Sequence, residues 1–186
     1  MTKQVGRLNP ANALTMLRLV MVPFFWFALM AEDGQDTQWR VIAWLIFALA
    51  AFTDRLDGQL ARQRGLTTDL GAFLDPVADK ALIGAALIGL STIGDLPWWV
   101  TIVILVREIG ITLLRLVVIR HGVIAASRGG KAKTLVQGFA IGFYIFPMPP
   151  WSDPLVIALM AVAVLLTVVT GIDYIVKAWA AHRARQ

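Results

Sequence analysis

The sequence predicts an all-α, polytopic integral membrane protein with six transmembrane helices and a polar active-site cavity on the cytoplasmic side. Three observations carry this: the composition, the division into apolar segments, and the placement of Lys and Arg. Of 186 residues, 58% are hydrophobic and only 16% charged, where soluble domains have roughly 45–50% and about 25%. Mean hydropathy is +0.71. Six apolar segments run along the chain, helical by length and composition rather than by any 3.6-residue period. Glycine and proline punctuate most of the breaks between them.

The first segment, Leu14–Ala31, follows a basic start, as a secretory signal would. No small-residue cleavage pattern follows Ala31 and further spans do, so it reads as a retained first helix, with Asn12 or Thr15 as its cap. The second, Arg40–Arg62, has only Val41–Phe52 before its charges begin, and the fifth, Thr134–Met148, is about as short. A span needs about 20 apolar residues. Polar ends must therefore extend these helices into the interface or into a water-filled cavity. The third segment is Gly71–Thr92, with Asp69 at its positive amino end and Thr67 or Thr68 as cap. The fourth is Pro97–Arg120 and the sixth Pro154–Ala178. With no internal repeat or soluble insertion, residues 1–186 read as a single membrane domain.

Six crossings put both termini and the second and fourth loops on one side. That side holds Lys3, Arg7, Arg55, Arg62, Arg64, Arg120, Arg128, Lys131, Lys133, Lys177, Arg183 and Arg185, while the other has only Arg40 among basic residues. By the positive-inside rule both termini and the aspartate cluster are cytoplasmic. Tryptophans such as Trp39, Trp98, Trp99, Trp151 and Trp179 flank segments as interfacial anchors. The absence of cysteine excludes disulfides, thiolate metal sites and a cysteine nucleophile. Two histidines, His121 and His182, argue against a histidine-rich zinc site, and His121 with Ser127 makes no triad. The net charge of +5 comes without aromatic-basic interleaving. This disfavours nucleic acid and suits anionic lipid and phosphate-bearing substrates.

The chemistry concentrates between Asp54 and Asp79. The stretch reads Asp54-Xaa2-Asp57-Gly58-Xaa2-Ala61-Arg62-Xaa8-Gly71-Xaa3-Asp75-Xaa3-Asp79. Asp54, Asp57, Gly58 and Ala61 share one stripe of the second helix; Gly71, Asp75 and Asp79 share one of the third. Carboxylates in such apolar surroundings are costly, and four brought together would protonate unless a cation sat between them. Oxygen-only ligands favour magnesium, manganese or calcium. Small residues beside them leave room for a bulky ligand. Capping or pairing with Arg55, Arg62 and Lys80 explains one aspartate, not four at these spacings. A cation transporter would instead place its carboxylates at the bilayer midplane, with access from both sides.

This pattern resembles that of the CDP-alcohol phosphotransferases, integral membrane enzymes defined by Asp-Gly-Xaa2-Ala-Arg-Xaa8-Gly-Xaa3-Asp-Xaa3-Asp; every motif position is present. Within the family the chain is most similar to bacterial members whose acceptor is glycerol 3-phosphate. The similarity rests on Leu74-Asp75-Pro76-Val77-Ala78-Asp79-Lys80, on Arg107-Glu108 with Arg115, on Gly130-Lys131-Ala132-Lys133-Thr134 with Gln137, and on Asn12, Leu14, Thr15 and Arg18. One departure is Pro10, with Ala11 just before Asn12 where the family usually has the proline.

The resemblance implies a donor, CDP-diacylglycerol, whose pyrophosphate is clamped by two divalent ions, Mg2+ or Mn2+, on Asp54, Asp57, Asp75 and Asp79. It implies that Asp57, Gly58, Ala61, Arg62 and Gly71 bind the donor and that Asp79 is the base acting on the acceptor hydroxyl. It also implies a homodimer. Acceptors within the family differ, inositol phosphate and phosphatidylglycerol among them. A phosphate-bearing acceptor calls for charge-assisted donors, with Arg107, Arg115, Lys131 and Lys133 as candidates. Two readings stand for Arg107 and Glu108: acceptor binding, or pairing with another helix inside the membrane. Asp173 is expected to pair with a basic neighbour.

Overall fold

The fold, in a computed structural model, is described for residues 10–64, 69–119 and 128–183, without the side chains of 10–11, 55–64, 69–73, 115–119, 128–129, 131 and 181–182. Thr67, Thr68, Arg120, His121, Ser127 and both termini lie outside the described residues. Among the described residues there are six α-helices and no strand: α1 (Pro10–Met30), α2 (Thr37–Arg64), α3 (Asp69–Thr92), α4 (Trp98–Ile119), α5 (Arg128–Ile145) and α6 (Asp153–Arg183). Short 3-10 turns lie at Ala31–Gly34 and Pro150–Ser152.

The helix ends differ from the hydropathy limits for local reasons. α1 begins at Pro10, where a fixed φ and a missing N–H cost nothing at the first helical position. Asn12 and Thr15 are therefore buried inside the helix, and the expectation that either caps it is corrected. α2 begins at Thr37 because the Asp36 carboxylate accepts a hydrogen bond from the Trp39 N–H at 2.9 Å. α5 begins at Arg128, so Lys131 and Lys133, expected in a connection, are helical. This is the polar extension that its short apolar part requires. The helix stops at Ile145, short of Pro147.

The helices gather into two compact units, Met1–Asp95 with Ile145–Pro147, and Leu96–Tyr144 with Met148–Gln186. In the first unit α1 packs on both α2 and α3. Phe25, Ala28 and Leu29 of α1, Ala43, Phe47 and Ala50 of α2, and Ala78, Ala86, Leu87 and Leu90 of α3 are buried. Small residues let the backbones approach. At Gly89 a Cβ would fall 2.6 Å from Leu29 Cδ2, so α1 and α3 are in close contact there. The turn from α1 to α2 uses three successive left-handed residues, Glu32 (φ 49°), Asp33 (φ 54°) and Gly34 (φ 71°). The two non-glycine residues cost roughly 1–2 kcal/mol each.

A buried cation stabilises that end of the unit. Arg40 donates to the Ile145 carbonyl at 2.9 Å, to the Gly34 carbonyl at 3.3 Å and to Asp95 at 2.6 Å. The one basic residue assigned to the far side is thus neutralised and tied to the ends of two helical segments. Replacing it in Arg40→Met leaves two carbonyls and a carboxylate without their donor. We expect a loss of about 2–3 kcal/mol, seen as a lower melting temperature in detergent with substrate KM values unchanged.

In the second unit α4 packs on α6, burying Val100, Ile104 and Ile111 with Met160, Ala163 and Thr167; Ala140 and Ile141 of α5 are buried too. Asp173 pairs with Lys177 at 2.7 Å, as expected of it. Arg183 lies 3.6 Å over the Trp179 ring. Both units expose large apolar side chains, Phe24, Phe27, Leu45 and Phe52 in one and Val106, Leu155, Leu165 and Val169 in the other. Such surface is unfavourable in water and natural against lipid. Among the described residues, two stretches, Asn12–Gly34 and Pro150–Ala180, are long and apolar enough to cross a membrane.

Candidate active site

The carboxylate site is assembled on α1. Thr15 and Arg18 are three residues apart, on one face of that helix. Thr15 Oγ1 donates to Asp75 Oδ1 at 2.5 Å, and Arg18 Nη1 lies 2.6 Å from Asp54 Oδ1. Because neighbouring positions on α1 hold them, the carboxylates of α2 and α3 converge on one patch. Asp79 lies half-buried one turn along α3 from Asp75, above the buried Ala78. Three of the four motif aspartates therefore share one end of the first unit. Asp54 is fourteen residues beyond Arg40 on α2, or about 21 Å at 1.5 Å per residue, so the site and the arginine lock occupy opposite ends.

The burial pattern suits a charged ligand. Arg18 is 1% exposed while the Asp54 side chain is 42% exposed. The guanidinium is thus a fixed internal positive charge, and the carboxylate it orients keeps an open face. Asp57, Gly58, Ala61 and Arg62 lie on the last turns of α2 and Gly71 near the start of α3, but their side chains are outside the described residues. Carboxylate oxygens are the donors a hard divalent cation takes, and among the described residues no group of three or more acidic, histidine or cysteine side chains lies together.

The sequence offers Thr15 as a cap and counts Thr15 and Arg18 toward the family resemblance, but their contact with the aspartates was missed. A signal was present: Asn12, Thr15 and Arg18 repeat every third residue in an otherwise apolar helix, and all three are buried.

The second unit holds a separate polar network. Lys133 of α5 pairs with Glu108 of α4, and Arg107 Nη1 lies 3.2 Å from the same carboxylate. Arg107 Nη2 donates to Thr170 Oγ1 of α6 at 3.0 Å. Two of the four acceptor-phosphate candidates, Arg107 and Lys133, are thereby brought together through Glu108. The other two, Arg115 on α4 and Lys131 on α5, have side chains outside the described residues. The charges divide sharply between the units. The second has nine Lys and Arg against three Asp and Glu, the first eight against nine.

Paired carboxylates among apolar helices, with a surplus of cations elsewhere in the chain, define a class: helical membrane proteins that handle charged phosphate compounds. Residues 8–169 match the CDP-alcohol phosphatidyltransferase family, and the chain belongs to it. It is 60% identical over 173 residues to a probable phosphatidylglycerophosphate synthase of Mycobacterium tuberculosis H37Rv, covering 91% of this chain and 81% of that one. It is 37% identical over 186 residues to the CDP-diacylglycerol–glycerol-3-phosphate 3-phosphatidyltransferase of Bacillus subtilis, covering 93% and 96%. The fold is similar to that of Mycobacterium tuberculosis phosphatidylinositol phosphate synthase in its apo crystal form, with a TM-score of 0.63 at 20% identity over 89% of this chain and 88% of that one.

Proposed function

We propose that the chain transfers the phosphatidyl group of CDP-diacylglycerol to glycerol 3-phosphate, forming phosphatidylglycerol phosphate and releasing CMP. The convergence of Asp54 and Asp75 on Thr15 and Arg18 is the observation that carries the site. The two relatives named for this chemistry support the choice of acceptor.

Asp54, Asp57, Asp75 and Asp79 would hold divalent ions, Mg2+ or Mn2+, which when bound supply positive charge for the donor's pyrophosphate. Arg18 and Thr15 fix the direction of two of these carboxylates, so little reorganisation is needed when the donor arrives. Gly58, Ala61 and Gly71 leave room beside them for the nucleotide, and Asp57 and Arg62 complete the donor contacts. Asp79 takes the proton from the acceptor hydroxyl. The oxygen then attacks the phosphorus that carries diacylglycerol, its bond to CMP breaks, and CMP leaves with the electron pair. No covalent enzyme intermediate is required. Arg107, Arg115, Lys131 and Lys133 receive the acceptor phosphate.

The whole chain acts as one membrane domain of six spans in the inner membrane, as a homodimer, with its termini and active site at the cytoplasmic face. Three features support this placement: the apolar exterior, the two long apolar helices and the bias of Lys and Arg. Release of CMP from CDP-diacylglycerol, measured with glycerol 3-phosphate, inositol phosphate and phosphatidylglycerol in turn, tests the acceptor. Turnover is expected with glycerol 3-phosphate. Turnover with inositol phosphate alone would overturn the assignment, and metal flux into liposomes without CMP release would replace the transferase by a transporter.

A further inference from the structure

We infer that Glu108 and Thr170 are positioning residues, which set the direction and net charge of the two cations, Arg107 and Lys133, that receive the acceptor phosphate. The inference rests on the acceptor reading above and adds to it two residues that do not themselves touch substrate.

A carboxylate inside an apolar helix is costly unless it is paired. Glu108, with its side chain 15% exposed, is paired twice, by Lys133 from α5 and by Arg107 beside it. Two cations this close repel each other unless an anion stands between them. One carboxylate between two cations offsets that repulsion and leaves a net +1 for a phosphate to meet. Two carboxylates would cancel it; none would leave the cations to separate.

Thr170 controls the remaining freedom of Arg107. Its hydroxyl donates to the Leu166 carbonyl at 2.6 Å, which turns a lone pair toward the guanidinium. Gly171 follows, where a Cβ would fall 3.1 Å from Arg107 Cγ, so the arginine stem lies close against the α6 backbone. Arg107 is thus held at its stem by Gly171 and at its tip by Thr170 and Glu108. Among the described residues its buried Nε has no hydrogen-bond partner. Just beyond Lys133, Gln137 of α5 meets Thr167 of α6 at 3.5 Å, continuing the polar seam one turn further.

The test is a set of full-length variants in detergent or liposomes. Thr170→Val keeps the side-chain shape and removes the hydroxyl; it is expected to raise the acceptor KM about tenfold with the CDP-diacylglycerol KM within twofold of wild type. Thr170→Ser restores the hydroxyl and should restore the acceptor KM. Glu108→Gln should likewise raise the acceptor KM selectively. Unchanged acceptor KM in Thr170→Val, or both KM values rising together with a lower melting temperature, would overturn the inference in favour of a packing role. Inorganic phosphate supplies a readout independent of turnover. It should raise the melting temperature of the wild type and raise it less in Thr170→Val; an equal rise in both also overturns the inference. Should the wild type use no phosphate-bearing acceptor while this difference persists, the acceptor assignment fails and the positioning of an anion site stands.

Discussion

Asp79→Asn is expected to lower kcat by about 10²–10⁴-fold, the usual contribution of a positioned general base, while CDP-diacylglycerol still binds. The substitution keeps size and one oxygen, so packing above the buried Ala78 is preserved and ion ligation survives in part while proton acceptance is lost. Asp75→Asn provides the contrast. Asp75 is oriented by the Thr15 hydroxyl at 2.5 Å, so its loss should weaken ion binding. Activity should then recover in part as the divalent ion is raised, whereas no ion concentration should recover Asp79→Asn. Single-turnover CMP release with saturating donor separates the two. A kcat for Asp79→Asn within tenfold of wild type would remove the base assignment; recovery of both variants with added ion would make Asp79 a ligand alone.

Much of this was legible in the sequence because the relevant signals are local. Asp54 with Asp57, and Asp75 with Asp79, reveal their shared faces through i,i+3 and i,i+4 spacing, which any helix enforces. The apolar segments were legible for a similar reason: surface that faces lipid has no polar stripe to mask it. The limits of the helices were less so, since they depend on single contacts such as Asp36 with the Trp39 N–H. Pairings between helices were not legible at all. Arg18 meets Asp54, Thr15 meets Asp75, Arg40 meets Asp95, and Lys133 meets Glu108 across long sequence separations. Charge counting had assigned Arg40 a topological role, and nothing local indicated its carbonyl partners. Of the two readings for Arg107 and Glu108, the structure shows pairing with another helix: Arg107 meets Thr170 of α6 and Glu108 meets Lys133 of α5.

Removing divalent ions is expected to abolish CMP release, and adding Mg2+ or Mn2+ to restore it. The argument is electrostatic. Arg18 and the Thr15 hydroxyl are the contacts described for Asp54 and Asp75, and one arginine could not offset the four carboxylates of the proposed site. Without further positive charge the cluster repels itself and also a donor that carries a pyrophosphate. Binding should therefore be visible without turnover. At a hundred times its Kd, an ion that binds only the folded state adds about 2.7 kcal/mol of stability, measurable as a higher melting temperature in detergent. Thr15→Val should raise the ion concentration needed for half of that effect by about tenfold, the scale on which a lost orienting contact acts on a metal site. A melting temperature indifferent to divalent ions, or full activity in excess chelator, would mean that Arg18 and its neighbours alone neutralise the donor. The aspartates would then need a different role.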